Sequence, residues 1–148
     1  MKTLLNIAAV ALMGGALLAA CGKPHTIVVT DPTSGSMSAT ANGKAINSSF
    51  CVGTPGSPVS ILTASFGNNT DITFNLKVAS LTATTYALDS SGADNNAEYS
   101  VNGVPVLSKN GTLTIATVSP GVSYTGNFNF TCVDGTLIAG TFTATEVK

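Results

Sequence analysis

The sequence predicts an all-β domain, either an antiparallel β-sandwich or a partly closed barrel of about nine short strands. Apolar and polar residues alternate over residues 71–78 (DITFNLKV), which is the period of a strand with one buried face. Turn pairs such as Asn42 with Gly43 and Asp134 with Gly135 separate the apolar runs. Beyond residue 21, no stretch shows the 3.6-residue period of an amphipathic helix. Short strands with frequent turns are typical of both sandwiches and small barrels, and the pattern does not choose between them.

Each predicted strand is a short β-forming run bounded by turn residues. In order, the runs are SMSATANGK, AINSSFCV, VSILTASF, DITFNLKV, TTYALD, AEYSV, TLTIATV, VSYTGNFNFTCV and TLIAGTFTATEV. Residues 67–70 (GNNT) are expected to form a turn before the fourth run, and Asn110 with Gly111 to open the seventh. The inner face of the eighth run is expected to hold Tyr124, Phe128, Phe130 and Cys132. Inward positions also include the small residues Ala64, Gly126 and Ala144, which fit either tight packing or space for a ligand.

The first twenty residues, MKTLLNIAAVALMGGALLAA, have the layout of a secretory signal peptide. Lys2 precedes an apolar run that Asn6 and a glycine pair interrupt, so the run is shorter than the continuous stretch that a spanning helix needs. The run ends in LAAC at residues 18–21, which resembles a bacterial lipobox. That resemblance implies cleavage before Cys21, a diacylglycerol thioether on its sulfur and a fatty acyl chain such as palmitate on its amine. The alternative is an ordinary signal peptide with an incidental cysteine.

The expected organisation has three parts. Residues 1–20 are a lipoprotein signal peptide, residues 21–35 are the lipidated cysteine with a flexible tether, and residues 36–148 are a single all-β domain. Each buried methylene of a lipid contributes about 0.8 kcal/mol of membrane affinity, so two or three chains hold a domain at a membrane durably. Gly22, rather than an aspartate, follows Cys21. By analogy with enterobacterial sorting, this residue favours the outer membrane of the cell envelope.

Composition excludes several partner classes. The chain has 148 residues, only 9% of them charged, and a formal net charge of −1. It contains six lysines and no arginine, so we expect no basic face for nucleic acid and no polybasic patch for anionic lipid. We also expect no cofactor. The length left after the signal peptide suits one domain with one core.

Three cysteines need separate explanations. Cys21 is assigned to the lipid. Cys51 and Cys132 remain as an even pair in an oxidising compartment, which predicts a disulfide. It would close a loop of roughly 80 residues and contribute on the order of 4 kcal/mol. Two free buried thiols are the alternative, whereas a zinc site is disfavoured by the spacing and by the presence of a single histidine, His25.

A second resemblance covers roughly residues 37–144. The chain has GTLTI at residues 111–115, GNFNF at residues 126–130 and GTF at residues 140–142, after an earlier ATANG at residues 39–43 and TYAL at residues 85–88. This succession is similar to that of a family of small bacterial lipoprotein domains of unknown function. The resemblance implies an all-β lipoprotein and brings no activity, cofactor or disulfide with it.

We predict no catalytic site. His25, the only histidine, lies four residues after the lipidated cysteine, in a tether that cannot orient it as a general base. Most of the seven acidic residues fall at turns and form no pair with the pattern of a glycosidase. The densest polar stretch is ALDSSGADNNAEYS, where oxygen ligands make a calcium candidate of Asp89, Asp94, Asn96 and Glu98. Its spacing is not that of an EF-hand, and the alternative is a solvated loop.

Three functions therefore compete. The first is a membrane-anchored, non-catalytic binding or structural module of the cell envelope, meeting a protein or glycan partner. The second is a carrier of a small apolar ligand, which would need a cavity inside the barrel. The third is a periplasmic inhibitor of a lysozyme-type enzyme: SSGADNNAEYS is similar to the SG…YS loop of those inhibitors, but the tryptophan-bearing segment expected after it is missing.

Overall fold

The computed structural model describes residues 35–91 and 94–147, and there the chain is all-β. The predicted signal peptide, Cys21 and most of the predicted tether lie outside these residues. Ten strands alternate with short turns. They are β1 (Ser36–Ala41), β2 (Lys44–Ser48), β3 (Cys51–Thr54), β4 (Ser60–Ser65), β5 (Asp71–Leu76), β6 (Thr85–Asp89), β7 (Asn96–Val101), β8 (Val104–Ser119), β9 (Ser123–Cys132) and β10 (Leu137–Glu146).

Seven of the strands close into a barrel. The pairing runs β3-β4-β5-β7-β8-β9-β10 and returns from β10 to β3, which confirms the predicted all-β class. All neighbours are antiparallel except the closing pair, where Thr145 faces Val52 and Glu146 faces Gly53 in parallel register. An odd number of strands that otherwise alternate in direction must include one such parallel pair. The barrel is therefore closed where β10 pairs with β3.

The other three strands, β1, β2 and β6, extend the sheet outward from the long strands β10 and β8. β10 pairs with β1 over most of its length and with β3 only at its end, while β1 in turn carries β2. β8 pairs first with β7 and then with β6 along the same edge. Register shifts interrupt the pairing of β8 with β9 between Ser108 and Asn110 and between Ile115 and Thr117. Such irregularities bend a strand, which allows β8 to serve two neighbours in succession.

Turn chemistry sets most of the hairpins. The predicted Asn42 and Gly43 turn is confirmed, with φ of 48° and 80°, as the primed hairpin turns require. The predicted turn at residues 67–70 and the Asp134 and Gly135 turn are also confirmed. The prediction that a strand begins at Asn110 and Gly111 is wrong, because both residues lie inside β8, which starts at Val104. Gly111 is needed there for a different reason: a Cβ would collide with Asn129 O and Phe130.

The barrel interior is filled by aromatic and aliphatic side chains. Phe74 makes edge contacts with Phe128 and Phe130, with ring centroids 5.2 and 5.9 Å apart. The predicted inward residues Ile72, Phe74 and Leu76 are fully buried, and Ala64 and Ala144 are as well. Gly126 faces Phe142 across β9 and β10, and a Cβ at Gly126 would lie 2.8 Å from the Phe142 ring. The small inward residues therefore serve tight packing, the first of the two alternatives left open above.

The two ends of the barrel differ in their connections. Pairing of Ser123 with both Ser119 and Thr145 brings the end of β8, the start of β9 and the end of β10 together. We call this side the pocket end. The opposite side, the hairpin end, carries the turns at residues 42–43, 102–103 and 133–136.

Candidate functional site

A pocket of about 560 Å³ opens at the pocket end. The loop between β5 and β6 forms one wall with Ser80, Leu81, Thr82 and Ala83. The remaining walls come from the β3–β4 loop, from β8 with its following turn, from the start of β9 and from the end of β10. They contribute Pro55, Val118, Pro120, Tyr124 and Glu146. The lining is mostly apolar, and Glu146 is its one charged side chain.

The base of this pocket is organised by Tyr124 and Glu146. The Tyr124 hydroxyl donates to Glu146 Oε2 at 2.6 Å, and the Gly121 N–H donates to the same oxygen at 2.8 Å. The Tyr124 ring is buried against Gly53, where a Cβ would lie 2.8 Å from ring atom Cδ2. Gly53 thus leaves the space that the ring occupies. Because Gly53 belongs to β3 and is paired with Glu146, barrel closure itself places the ring and the carboxyl group side by side.

The environment of Tyr124 makes its hydroxyl a poor acid. Burial, the hydrogen bond to Glu146 and the charge of Glu146 together raise the pKa of Tyr124 well above its usual value. The phenol therefore stays protonated near neutral pH and acts as a donor that fixes the carboxyl group. This arrangement presents a positioned hydrogen-bond acceptor beside apolar walls.

No local sequence signal pointed to this site. Tyr124 was expected in the core, where it lies, but Glu146 was one acidic residue among seven. The site depends on the return of β10 to β3, a pairing between residues more than ninety positions apart along the chain. Pro55, Leu81 and Val118 come from three separate parts of the sequence. The pattern of any single stretch therefore cannot show that these residues line one pocket.

The calcium candidate does not assemble in the described residues. Asp89 Oδ1 accepts from the backbone N–H and the hydroxyl of Ser91, which forms a local turn and lowers the pKa of Asp89. Asn96 is buried, and its Oδ1 accepts from Asn75 on the neighbouring strand. Within residues 35–91 and 94–147, no three Asp, Glu, Cys or His side chains come close enough to hold a metal ion. Asp94 lies within hydrogen-bonding reach of Asp89, but no third acidic side chain joins the two in the described residues.

The predicted disulfide is not formed, and both thiols are free and buried. Pairing explains the separation: Val52 faces Thr145 near the end of β10, whereas the Cys132 N–H bonds to Thr136 O just before β10 begins. The two cysteines are thus level with opposite ends of β10, roughly 25 Å apart along that strand. A disulfide needs Cα atoms within about 7 Å. The alternative of two buried thiols is what the structure contains.

The thiols are poor nucleophiles in this setting. Burial raises the pKa of Cys51 to about 12. Burial, with a contribution from the nearby Asp134 charge, raises the pKa of Cys132 to about 11. Because the thiolate is the reactive form, neither sulfur is suited to redox or metal chemistry at neutral pH.

Two buried serines that sequence patterns did not single out have structural roles. Ser108 Oγ donates to Asp89 O at 2.8 Å and accepts from the Ala97 N–H at 2.9 Å, which fixes the β6–β7 connection to β8. Ser60 Oγ donates to Val78 O at 2.8 Å and holds the start of the β5–β6 loop. Each hydroxyl is committed to backbone groups, so neither is placed as a nucleophile. His25 and Cys21 lie outside the described residues.

Comparison of the chain with known protein families, with curated proteins and with solved structures finds no match. The resemblance to small lipoprotein domains therefore stays a prediction. Within the described residues, no helix has the length and apolar character needed to cross a bilayer.

Proposed function

We propose that this protein is a lipid-anchored lipoprotein of the bacterial cell envelope whose barrel is a non-catalytic binding or structural domain. Gly22, which follows Cys21, favours the outer membrane as the site of anchoring. The observation that carries the proposal is the ending LAAC at residues 18–21 after an apolar run. A thioether-linked diacylglycerol on Cys21 would hold the domain at a membrane without a spanning helix.

The contents of the barrel support the non-catalytic part of the proposal. Buried hydroxyls and thiols are bonded to backbone or shielded from solvent, and the Tyr124 and Glu146 pair lacks a nucleophile. Phe74, Phe128 and Phe130 occupy the interior, which argues against the carrier of a small apolar ligand. A non-catalytic module needs a stable shape and accessible surface, and a closed barrel supplies both.

Exposed strand edges support a binding role. Among the residues that the structure describes, β2 pairs only with β1, and β6 pairs only with β8. An edge strand presents unpaired backbone donors and acceptors, to which an extended segment of a partner can add. Lys44 on β2 and Asp89 on β6 place one charge on each edge, which limits pairing between copies of the chain.

Metabolic labelling with an alkyne analogue of palmitate tests the anchor. The full chain is expressed in a bacterial host, and labelled protein is detected on denaturing gels. Labelling and membrane fractionation are expected for the natural chain and are expected to disappear with Cys21→Ser. Cys132→Ala is the matched control, since it also removes one thiol and is expected to keep the label. Equal labelling of the Cys21→Ser chain would overturn the proposal.

Crosslinking on intact cells then tests the binding role. The Cys21→Ser chain serves as control, because it lacks the anchor and retains the barrel. A defined crosslinked partner that depends on Cys21 supports a binding module. A labelled, membrane-bound chain that forms no crosslink to any envelope protein or glycan would contradict it.

A further inference from the structure

The pocket end combines apolar side chains with two charged residues, Glu146 in the pocket and the exposed Lys77 in the loop that forms one of its walls. Pro55, Leu81 and Val118 line the pocket, and its one charged group, Glu146, already accepts hydrogen bonds from Tyr124 and Gly121. Apolar surface of this kind on a soluble domain marks a contact with a partner or a membrane.

Val122 extends the same apolar surface outward. It lies in the turn between β8 and β9, is 62% exposed, and accepts a hydrogen bond from the Glu146 N–H at 3.0 Å. Val147, which follows Glu146, is also exposed. Val122 in the turn and Val147 after β10 therefore give the pocket end two exposed apolar side chains.

The hairpin end also carries exposed apolar residues together with charged ones. Val101, Val104, Val133 and Leu137 are exposed there. Lys44, Asp71 and Asp134 stand next to its turns. Exposed apolar area alone does not distinguish the two ends, so a separate observation must decide which of them faces a membrane.

The direction of β1 supplies that observation. β1 is antiparallel to β10 and begins with Ser36 opposite Thr143, so the chain arrives at β1 from the side of Glu146. Only thirteen residues, 22–34, separate Cys21 from Gly35. A chain of thirteen residues with random-coil dimensions spans roughly 20 Å on average. β9, which joins the two ends, is itself about 30 Å long.

We infer that the pocket end faces the bilayer, with Val122 and the pocket walls in contact with phospholipid at the membrane interface. The inference rests on the proposed anchor at Cys21. The occupant it assigns to the pocket is phospholipid of the membrane that holds the anchor. The hairpin end then points away from the membrane.

Two valines of one type and similar exposure allow a matched test. Val122 is 62% exposed in the turn before β9, and Val133 is 57% exposed in the turn after it. Val122→Cys and Val133→Cys are made separately in the lipidated chain, and each is labelled with an environment-sensitive fluorophore. Cys51 and Cys132 are fully buried and are not expected to react. The labelled proteins are reconstituted into vesicles of phosphatidylethanolamine and phosphatidylglycerol that contain a nitroxide-bearing lipid as quencher.

Strong quenching and a blue-shifted emission are expected at position 122, with at least a twofold weaker quenching at position 133. Equal quenching at the two positions, or stronger quenching at position 133, would overturn the inference. Flotation of the vesicles is measured in the same samples, with the Cys21→Ser chain as control. Chains that fail to float with vesicles would refute the proposed anchor, whereas chains that float with the wrong quenching pattern would refute only the orientation.

Discussion

The Tyr124 hydroxyl and Glu146 Oε2 are 2.6 Å apart, and the Gly121 N–H donates to the same oxygen. One carboxyl group therefore joins the β8–β9 turn, the start of β9 and the end of β10. The Tyr124 ring simultaneously packs against Gly53 of β3. This group of contacts lies where the barrel closes, so its strength bears on the stability of the whole domain.

Removing the Tyr124 hydroxyl is expected to destabilise the domain. Tyr124→Phe keeps the buried ring but loses a hydrogen bond to a charged acceptor, which costs about 1–3 kcal/mol. The free energy of unfolding in urea, measured on the Cys21→Ser chain, checks this value. Tyr86→Phe is the matched control, because the Tyr86 hydroxyl bonds only to neutral groups of Thr82 in a neighbouring loop. We expect a smaller loss for the control, and equal losses would contradict the assigned role of Glu146.

Stability is expected to fall as pH rises above about 9. The folded-state pKa of Cys132 is raised to about 11 from an ordinary value of 9.0. A raised pKa means that the folded state holds its proton more tightly, so this stabilisation is complete below pH 9 and is lost as pH rises towards 11. Unfolding titrations at pH 8, 9, 10 and 11 measure the loss. Cys132→Ala is expected to reduce the slope over this window without abolishing it, because the pKa of Cys51 is also raised, to about 12. An unchanged slope would refute the prediction.

Free thiols are expected at both barrel cysteines. In the folded Cys21→Ser chain, a thiol reagent such as Ellman's reagent is expected to react slowly, because Cys51 and Cys132 are buried. In denaturant, without any reductant, two thiols per chain are expected to react. A Cys51→Ala variant of the same chain should show one. If denatured chains react only after reduction, the cysteines form a disulfide and the register of β3 or β9 must differ.

Adding a methyl group at Gly126 is expected to disturb the core. A Cβ there would collide with Thr114 O and approach the Phe142 ring at 2.8 Å. Overpacking of this kind costs about 1–3 kcal/mol, and Gly126→Ala should reduce the free energy of unfolding accordingly. Asn127→Ala changes the adjacent, exposed residue and is expected to stay within about 0.5 kcal/mol of the parent. Equal stability of all three chains would show that Phe142 can move aside.

Strand positions were predictable wherever a local pattern was sufficient. Ile72, Phe74 and Leu76 are buried as their alternation predicts, and the Asn42 and Gly43 turn forms as its residue types require. Asn110 and Gly111 look like the same kind of turn but lie within β8. There the missing Cβ admits Phe130, which belongs to another strand. Local residue types cannot distinguish a glycine that turns the chain from a glycine that makes space for a neighbour.

Contacts between strands that are far apart in the sequence could not be predicted from local patterns. The cysteine pair fitted a disulfide by count and compartment, yet the register of β3 and β9 separates the two thiols. The acidic stretch fitted calcium by composition, yet Asp89 is turned towards Ser91 and Asn96 towards Asn75. The pocket could not be predicted for the same reason, since its walls come from three connections, the start of β9 and the end of β10. In each case the outcome depends on topology, which one-dimensional patterns do not specify.

The parallel pairing of β10 with β3 also sets an order of events in synthesis. β10 touches β1, β3 and β9, so every strand of the barrel precedes the one that completes it. Until residues 145 and 146 have been synthesised, β3 has no partner on that side. The wall of the barrel then ends in two unpaired strand edges. Contacts of such long sequence separation form slowly. A chain exported in the unfolded state would therefore cross the membrane with its wall incomplete, and would depend on protection from aggregation until its final strand arrives.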